Sequence, residues 1–253
     1  MKWILRFLPR SFLIRMSLFL RPLFRVFYGG NKFTDPIDGS SYRKFLPYGY
    51  GKTLRPNALC PGTLSLERHR LLWLYLDRET HFLNQELKVL HVAPEQVFFR
   101  KFKRLQHWDY TTTDLNSPLA DVVSDICDLP FQDNKYDLIL CNHVFEHILN
   151  DLKAMTELYR VLKKGGTLIA QVPLDEGRPK TFEDNSITEA NERSRVFGQY
   201  DHVRIYGKDY QNRLEQVGFT VMMLAYAEQL TLEEQTRYAV PANEIIPICT
   251  KAN

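Results

Sequence analysis

His143-Val-Phe-Glu-His147, with a further histidine at His202, holds the side chains of this chain best suited to moving a proton near neutral pH. A positioned imidazole can take a proton from a hydroxyl or amine nucleophile, so His143 and His202 are the candidate bases. The first five residues also spell H-x-x-E-H. On a helix that spacing lets two imidazoles share a zinc ion while the glutamate acts on a bound water, the arrangement of an inverted zinc peptidase. The elements around these residues decide between the two chemistries.

From residue 86 onward the pattern alternates strand and helix. Apolar runs at 88–93, 108–114, 120–125, 136–141 and 166–172 predict five strands. Helical stretches intervene, including 150–162, which Gly165-Gly166 is expected to end. After a helix at 208–217, runs at 218–226 and 244–250 supply two last strands at an antiparallel edge. Alternation of this kind predicts an α/β fold, a doubly wound, mostly parallel seven-stranded sheet with an antiparallel last strand. His143 then lies just past the fourth strand, at a strand-to-helix junction. A long segment, 173–206, separates the fifth strand from its helix and reads as a substrate lid, because long loops in compact domains are often functional.

The order of these segments resembles the class I S-adenosylmethionine-dependent methyltransferases, in particular the type 11 group, where Glu-His is common after the fourth strand. The resemblance covers about 165 residues and implies S-adenosylmethionine as cofactor and S-adenosylhomocysteine as product. It places Asp114, at the end of the second strand, on the ribose hydroxyls. Asp125 and Ile126 fall at the adenine, and Asn142 with His143 faces the methionine moiety and the substrate. The first turn departs from the family. His91-Val-Ala-Pro-Glu-Gln-Val97 puts Ala93, Glu95 and Val97 where glycines let backbone approach the cofactor. Within that turn His91, Ala93 and Glu95 are the candidate cofactor contacts, with Glu95 set to bond the cofactor's amino group. The missing glycines also argue against a nicotinamide dehydrogenase.

Residues 1–30 differ in kind from the rest. They hold six of the 33 basic residues and no acid, so the remaining 27 face 30 acidic residues and the body is slightly negative. A nucleic-acid-binding body would carry its own basic face, so no nucleic-acid partner is expected. On a helical wheel Lys2, Arg6, Arg10, Arg21 and Arg25 share one sector opposite Trp, Phe, Leu and Ile. That suits a helical extension lying in the plane of an anionic membrane through residues 1–28. A helix packed on the body and a targeting peptide are the other readings. The charges leave no uncharged run near the roughly 18–20 residues of a bilayer span.

Residues 31–85 read as linker and cap before a domain at 86–253. A helix is expected from Ser65 as N-cap, with Arg68, His69 and Arg70 able to reach a carboxylate or phosphate or else to form a solvated face. The resemblance sets Cys60-Pro-Gly-Thr63 where related methyltransferases have a Cys-Pro-x-Cys pair. Thr63 replaces the second thiol, and no metal site is expected. The four scattered cysteines suit a reducing compartment.

Together these readings lead to methyl transfer by in-line displacement to a small or lipid-linked acceptor, in the cytoplasm and peripheral on the inner face of a membrane. The alternatives are a non-catalytic methyltransferase-like scaffold at a membrane, and the zinc peptidase through His143, Glu146 and His147.

Overall fold

The computed structural model describes residues 26–49, 54–241 and 243–252. The basic segment expected to meet a membrane lies almost wholly outside the described residues. Two compact units emerge. One takes the chain up to Thr80 together with Tyr226–Glu244, and the other takes His81–Ala225 with the last strand. The segment 226–244, expected within the sheet domain, thus groups with the N-terminal unit.

In the N-terminal unit two small antiparallel hairpins precede a helix. The first joins β1 (Gly29–Thr34) to β2 (Ser41–Tyr42), the second β3 (Leu46–Tyr48) to β4 (Arg55–Leu59), and the helix is α1 (Glu67–Arg78). Helix α1 begins one residue later than expected. Leu66 is its N-cap, and its N–H donates to Nδ1 of His69 at 3.0 Å. Ser65 instead donates its hydroxyl to Asp35 at 2.7 Å, and the Thr63 hydroxyl bonds the same carboxylate oxygen. Arg70 is fully buried. Its guanidinium donates to the carbonyls of Ala58, Ser65, Tyr238 and Ala239 and lies over the Phe45 ring. A planar five-donor fork can serve all of these carbonyls at once, although that of Ser65 also accepts the Cys60 N–H at 2.9 Å. Arg70 therefore holds the unit together and is closed to an external anion.

The second unit is the seven-stranded sheet, in spatial order β12-β13-β9-β8-β5-β6-β7. Its strands are β5 (Leu87–Val92), β6 (Trp108–Asp114), β7 (Val122–Val123), β8 (Tyr136–Cys141), β9 (Leu162–Ile169), β12 (Phe219–Leu224) and β13 (Ile246–Lys251). All neighbours pair in parallel except β13, which runs antiparallel to both β9 and β12. Strands β5 and β8 are apolar along nearly their whole length and buried, as a sheet covered on both faces requires. Between the strands lie α2 (Gln96–Phe102), α3 (Asp151–Val161) and α5 (Tyr210–Val217), the last closed by Gly218 at φ +114°. The segment 173–206 adds a two-residue ribbon, β10 (Phe182–Glu183) with β11 (Arg204–Ile205), and a short exposed helix, α4 (Ala190–Val196).

Two boundaries differ from the sequence reading. Helix α3 ends at Val161, before the glycines, and β9 starts at once at Leu162. Lys163, Lys164, Gly165 and Gly166 lie inside that strand, where the β8–β9 register shifts and Lys163 pairs with Asp137 at 2.6 Å. The third strand shortens to two residues because Val123 is exposed at the sheet edge.

Candidate active site at the carboxyl ends of the strands

The chain leaves β5 for β6 on one side and reaches β8 on the other, so the strand order reverses between β5 and β8. Ligands of doubly wound sheets bind in the crevice outside the carboxyl ends at that point. Three segments meet there: the turn after β5, the end of β6, and the junction after β8.

The turn after β5 is built without glycine but keeps glycine's geometry. Ala93 has φ +48°, the left-handed region that costs a side-chain-bearing residue about 1–2 kcal/mol, and its N–H donates to the Thr113 carbonyl at 2.8 Å. His91 lies inside the strand, fully buried, with one ring nitrogen 2.7 Å from the Tyr110 hydroxyl and the other 2.5 Å from Glu95. Both its nitrogens are thus engaged by the protein, and its effect on a ligand passes through the carboxylate it holds. Burial, then Glu95, push the Tyr110 phenol far up, which keeps it a neutral donor.

Asp114 is half-buried at the end of β6. Its Oδ1 accepts the N–H groups of Asn116 and Ser117, while Oδ2 has no partner among the described residues. Asp125 is exposed and accepts the Cys127 N–H, and Ile126 is buried in the main core. The structure thus sets an acid and an apolar residue side by side past β7.

After β8 comes the densest polar cluster. The Asn142 side chain is buried, with Oδ1 accepting the Gln171 N–H and Nδ2 lacking any partner. His143 takes φ +54° and donates its N–H to the Gln171 carbonyl at 2.7 Å. Its Nδ1 is 3.2 Å from Glu146 Oε1, and its Nε2 is enclosed without a partner. Glu146 is 2 % exposed, and its second oxygen, Oε2, is also unpartnered. Burial alone would push this carboxyl up. The hydrogen bond from His143 and the nearby His143 and His147 rings outweigh it, so the carboxyl sits below its ordinary range.

Residues 145–147 form a single 3-10 turn, and α3 starts only at Asp151. His143 and His147 therefore do not share a helical face, and the H-x-x-E-H spacing does not build a peptidase site. What joins the cluster comes from far away. The His202 ring meets that of His147 edge to face at 4.8 Å, and Asp201 lies 3.4 Å from His147 Nδ1. Burial lowers the His202 pKa, against the pull of Glu146, so the ring is neutral at pH 7.

Arg204 places that distant segment. It is buried and donates to the carbonyls of Phe145 at 2.8 Å and Leu149 at 2.9 Å, and also to that of Ile148. Val203 N–H donates to the Glu146 carbonyl at 2.9 Å. Asp151, whose carboxylate accepts from Tyr206 and Arg213, and Glu183, which pairs with Arg204 and Arg213, balance the charge. Arg204 and Tyr206 had no signal in the sequence beyond an Arg-Ile-Tyr run at the end of a long polar segment.

The order of strands agrees with the comparisons to known proteins. Residues 85–170 match the family described as a methyltransferase domain. An uncharacterised protein of Methanocaldococcus jannaschii is 49% identical over 51 residues, 20% of this chain and 22% of that protein. A ubiquinone/menaquinone biosynthesis C-methyltransferase of Ruegeria is 27% identical over 149 residues, 50% of this chain and 59% of that protein. Residues 85–170 carry a methyltransferase domain of this family. Its sheet also aligns with an N1-methyltransferase of Burkholderia thailandensis solved with S-adenosylhomocysteine, with TM-score 0.50, 13% identity and coverage of 74% of this chain and 78% of that one. The chain spans less than two thirds of the length of either relative. In this methyltransferase domain the unpartnered amide of Asn142 and the free oxygen of Asp114 sit where a polar nucleoside cofactor needs a donor and an acceptor, so the residues present fit S-adenosylmethionine.

Proposed function

We propose that the chain catalyses methyl transfer from S-adenosylmethionine to a small or lipid-linked acceptor. The observation that carries this reading is the pair of enclosed, unpartnered nitrogens, Asn142 Nδ2 and His143 Nε2, at the carboxyl end of β8. Buried polar atoms without partners are rare and cost about 1–3 kcal/mol each, so such a pair at a switch point marks a place kept for a ligand. The cofactor supplies an electrophilic methyl group on a sulfonium.

The chain's own residues do the rest. Asp114 and Glu95 present carboxylates to the nucleoside end, and Asn142 offers its amide. Glu146 fixes the His143 ring through Nδ1, which leaves Nε2 as the nitrogen able to accept a proton from the acceptor. The end of segment 173–206 is fastened beside this nitrogen by Arg204 and Val203, which suits a cover over the acceptor. His202 faces Glu146 and His147 rather than standing alone, which favours His143 as the base.

An acceptor at a membrane surface is part of the proposal. It rests on the basic sector of residues 1–28, and no helix among the described residues is long and apolar enough to cross a membrane. Calorimetric titration of the full chain with S-adenosylmethionine and S-adenosylhomocysteine tests the first part. Micromolar binding that weakens in Asp114→Ala supports the reading, and no binding by folded protein overturns it. Equal co-flotation with neutral and anionic vesicles would overturn the membrane part.

A further inference from the structure

The cluster past β8 contains more than a base and its orienting acid. Glu146, His147 and His202 each present one ligand atom, and the three atoms lie within 4.8 Å of one another. Glu146 is the decisive member. Its Oε1 serves His143, whereas Oε2 is enclosed and has no hydrogen-bond partner among the described residues. A buried carboxylate oxygen left without a partner is among the costliest states a side chain can adopt, and a cation removes that cost.

We propose that Glu146, His147 and His202 bind a divalent transition-metal ion of the zinc class, with an oxygen of the methyl acceptor completing its coordination. The ligand set favours such an ion over magnesium or calcium, since two imidazoles and one carboxylate suit Zn²⁺, Co²⁺, Ni²⁺ or Fe²⁺, while the harder cations take oxygen. Metal–ligand bonds of about 2.0–2.2 Å place tetrahedral ligand atoms roughly 3.4 Å apart. The two histidine rings, both half-buried, already meet edge to face within that 4.8 Å set. Asp201 stands beside His147 Nδ1, the carboxylate–histidine pairing that orients metal-bound imidazoles. Three protein ligands leave a position open, as catalytic sites do. The ion itself does not depend on the methyl-transfer reading, whereas the acceptor oxygen does.

The test uses the full chain, treated with chelator and reloaded. Calorimetric titration with Zn²⁺ and with Mg²⁺, together with the visible spectrum after Co²⁺ addition, reads the site directly. One Zn²⁺ per chain, much tighter than Mg²⁺, is the expected result. His202→Ala should weaken Zn²⁺ binding more than tenfold and remove the Co²⁺ bands. Its ring is only half-buried, so the variant should fold, and His147→Gln provides a second ligand deletion. No Zn²⁺ binding by folded protein, or equal binding in both variants, overturns the proposal. Titration of the same samples with S-adenosylhomocysteine reports the cofactor crevice separately, so failure of the metal site and failure of the methyl-transfer reading give different results.

Discussion

Arg204 Nη1 donates to the Phe145 carbonyl at 2.8 Å across 59 residues of sequence. That bond, with those to Ile148 and Leu149, makes the turn after β8 and the end of the long insertion a single piece. The turn that carries Glu146 and His147 is a single 3-10 turn and not an α-helix, so its carbonyls are only partly satisfied within it. A buried guanidinium supplies further donors. His202 reaches the site because it sits two residues before this anchor.

Replacing Arg204 by alanine should strip a donor from three carbonyls and leave Arg213 as the one cation paired with Asp151 and Glu183 among the described residues. Loss of a buried charge partner of this kind costs roughly 3–5 kcal/mol. Chemical denaturation should show a loss of that order. Limited proteolysis should cut residues 173–203 faster in the variant, and unchanged cleavage there would dissociate Arg204 from the lid.

Ala93→Gly should be neutral or stabilise by up to about 1 kcal/mol. Relief of the left-handed strain at φ +48° is offset by the greater freedom glycine gives the unfolded chain. Ala93→Val should destabilise by more than the alanine strain alone. A urea midpoint that falls in the glycine variant would contradict the backbone geometry of this turn.

Asp114→Asn and Asp114→Ala should part company. Asparagine keeps an oxygen to accept the Asn116 and Ser117 N–H groups, so the turn should stand while the charge is lost. Removing a hydrogen bond to a charged group costs about 1.5–3 kcal/mol, which is on the order of 10–100-fold in cofactor affinity. Alanine should lose that affinity and also melt at a lower temperature.

Acid stability should depend on Glu157. Its hydrogen bond from Arg160 outweighs burial and, helped by the Leu129 N–H, holds its carboxyl below the ordinary value. The folded pKa is depressed, so the unfolded chain binds the proton more readily. The stabilisation is therefore full above the unfolded pKa of about 4.3 and is lost as pH falls through the folded value. Glu157→Gln should flatten the fall of denaturation free energy with pH below about 5, and an unaltered slope would exclude this pair as a source.

Much of this was written locally. Strand β8 occupies the six residues its apolar run announced, β6 its seven, and β12 and β13 form the antiparallel edge expected after α5. Local signals misled where tertiary partners compete. Gly165-Gly166 reads as a helix stop, yet Leu162 already pairs with Tyr136 across the sheet. Ser65 reads as an N-cap, yet Asp35 takes its hydroxyl. The site followed the same division. The places of Asp114, Asn142 and His143 at the ends of β6 and β8 were legible because strand ends are legible. The partnership of His202 with Glu146 and His147 spans more than fifty residues, and His91 reads as a ligand contact although Tyr110 and Glu95 occupy both its nitrogens. Spacing within a motif carries no information about a partner that a buried arginine brings in from another segment.

The cysteines give the molecule a practical asymmetry. Cys60, Cys141 and Cys249 are buried, with their thiols held protonated, that of Cys60 pushed up to about 12. Cys127 alone is half-exposed, two residues beyond Asp125. The native sequence therefore already contains a near-unique attachment point for a fluorophore, beside Asp125 just past β7. Occupancy could be followed by light emission at that one position without altering any side chain of the site.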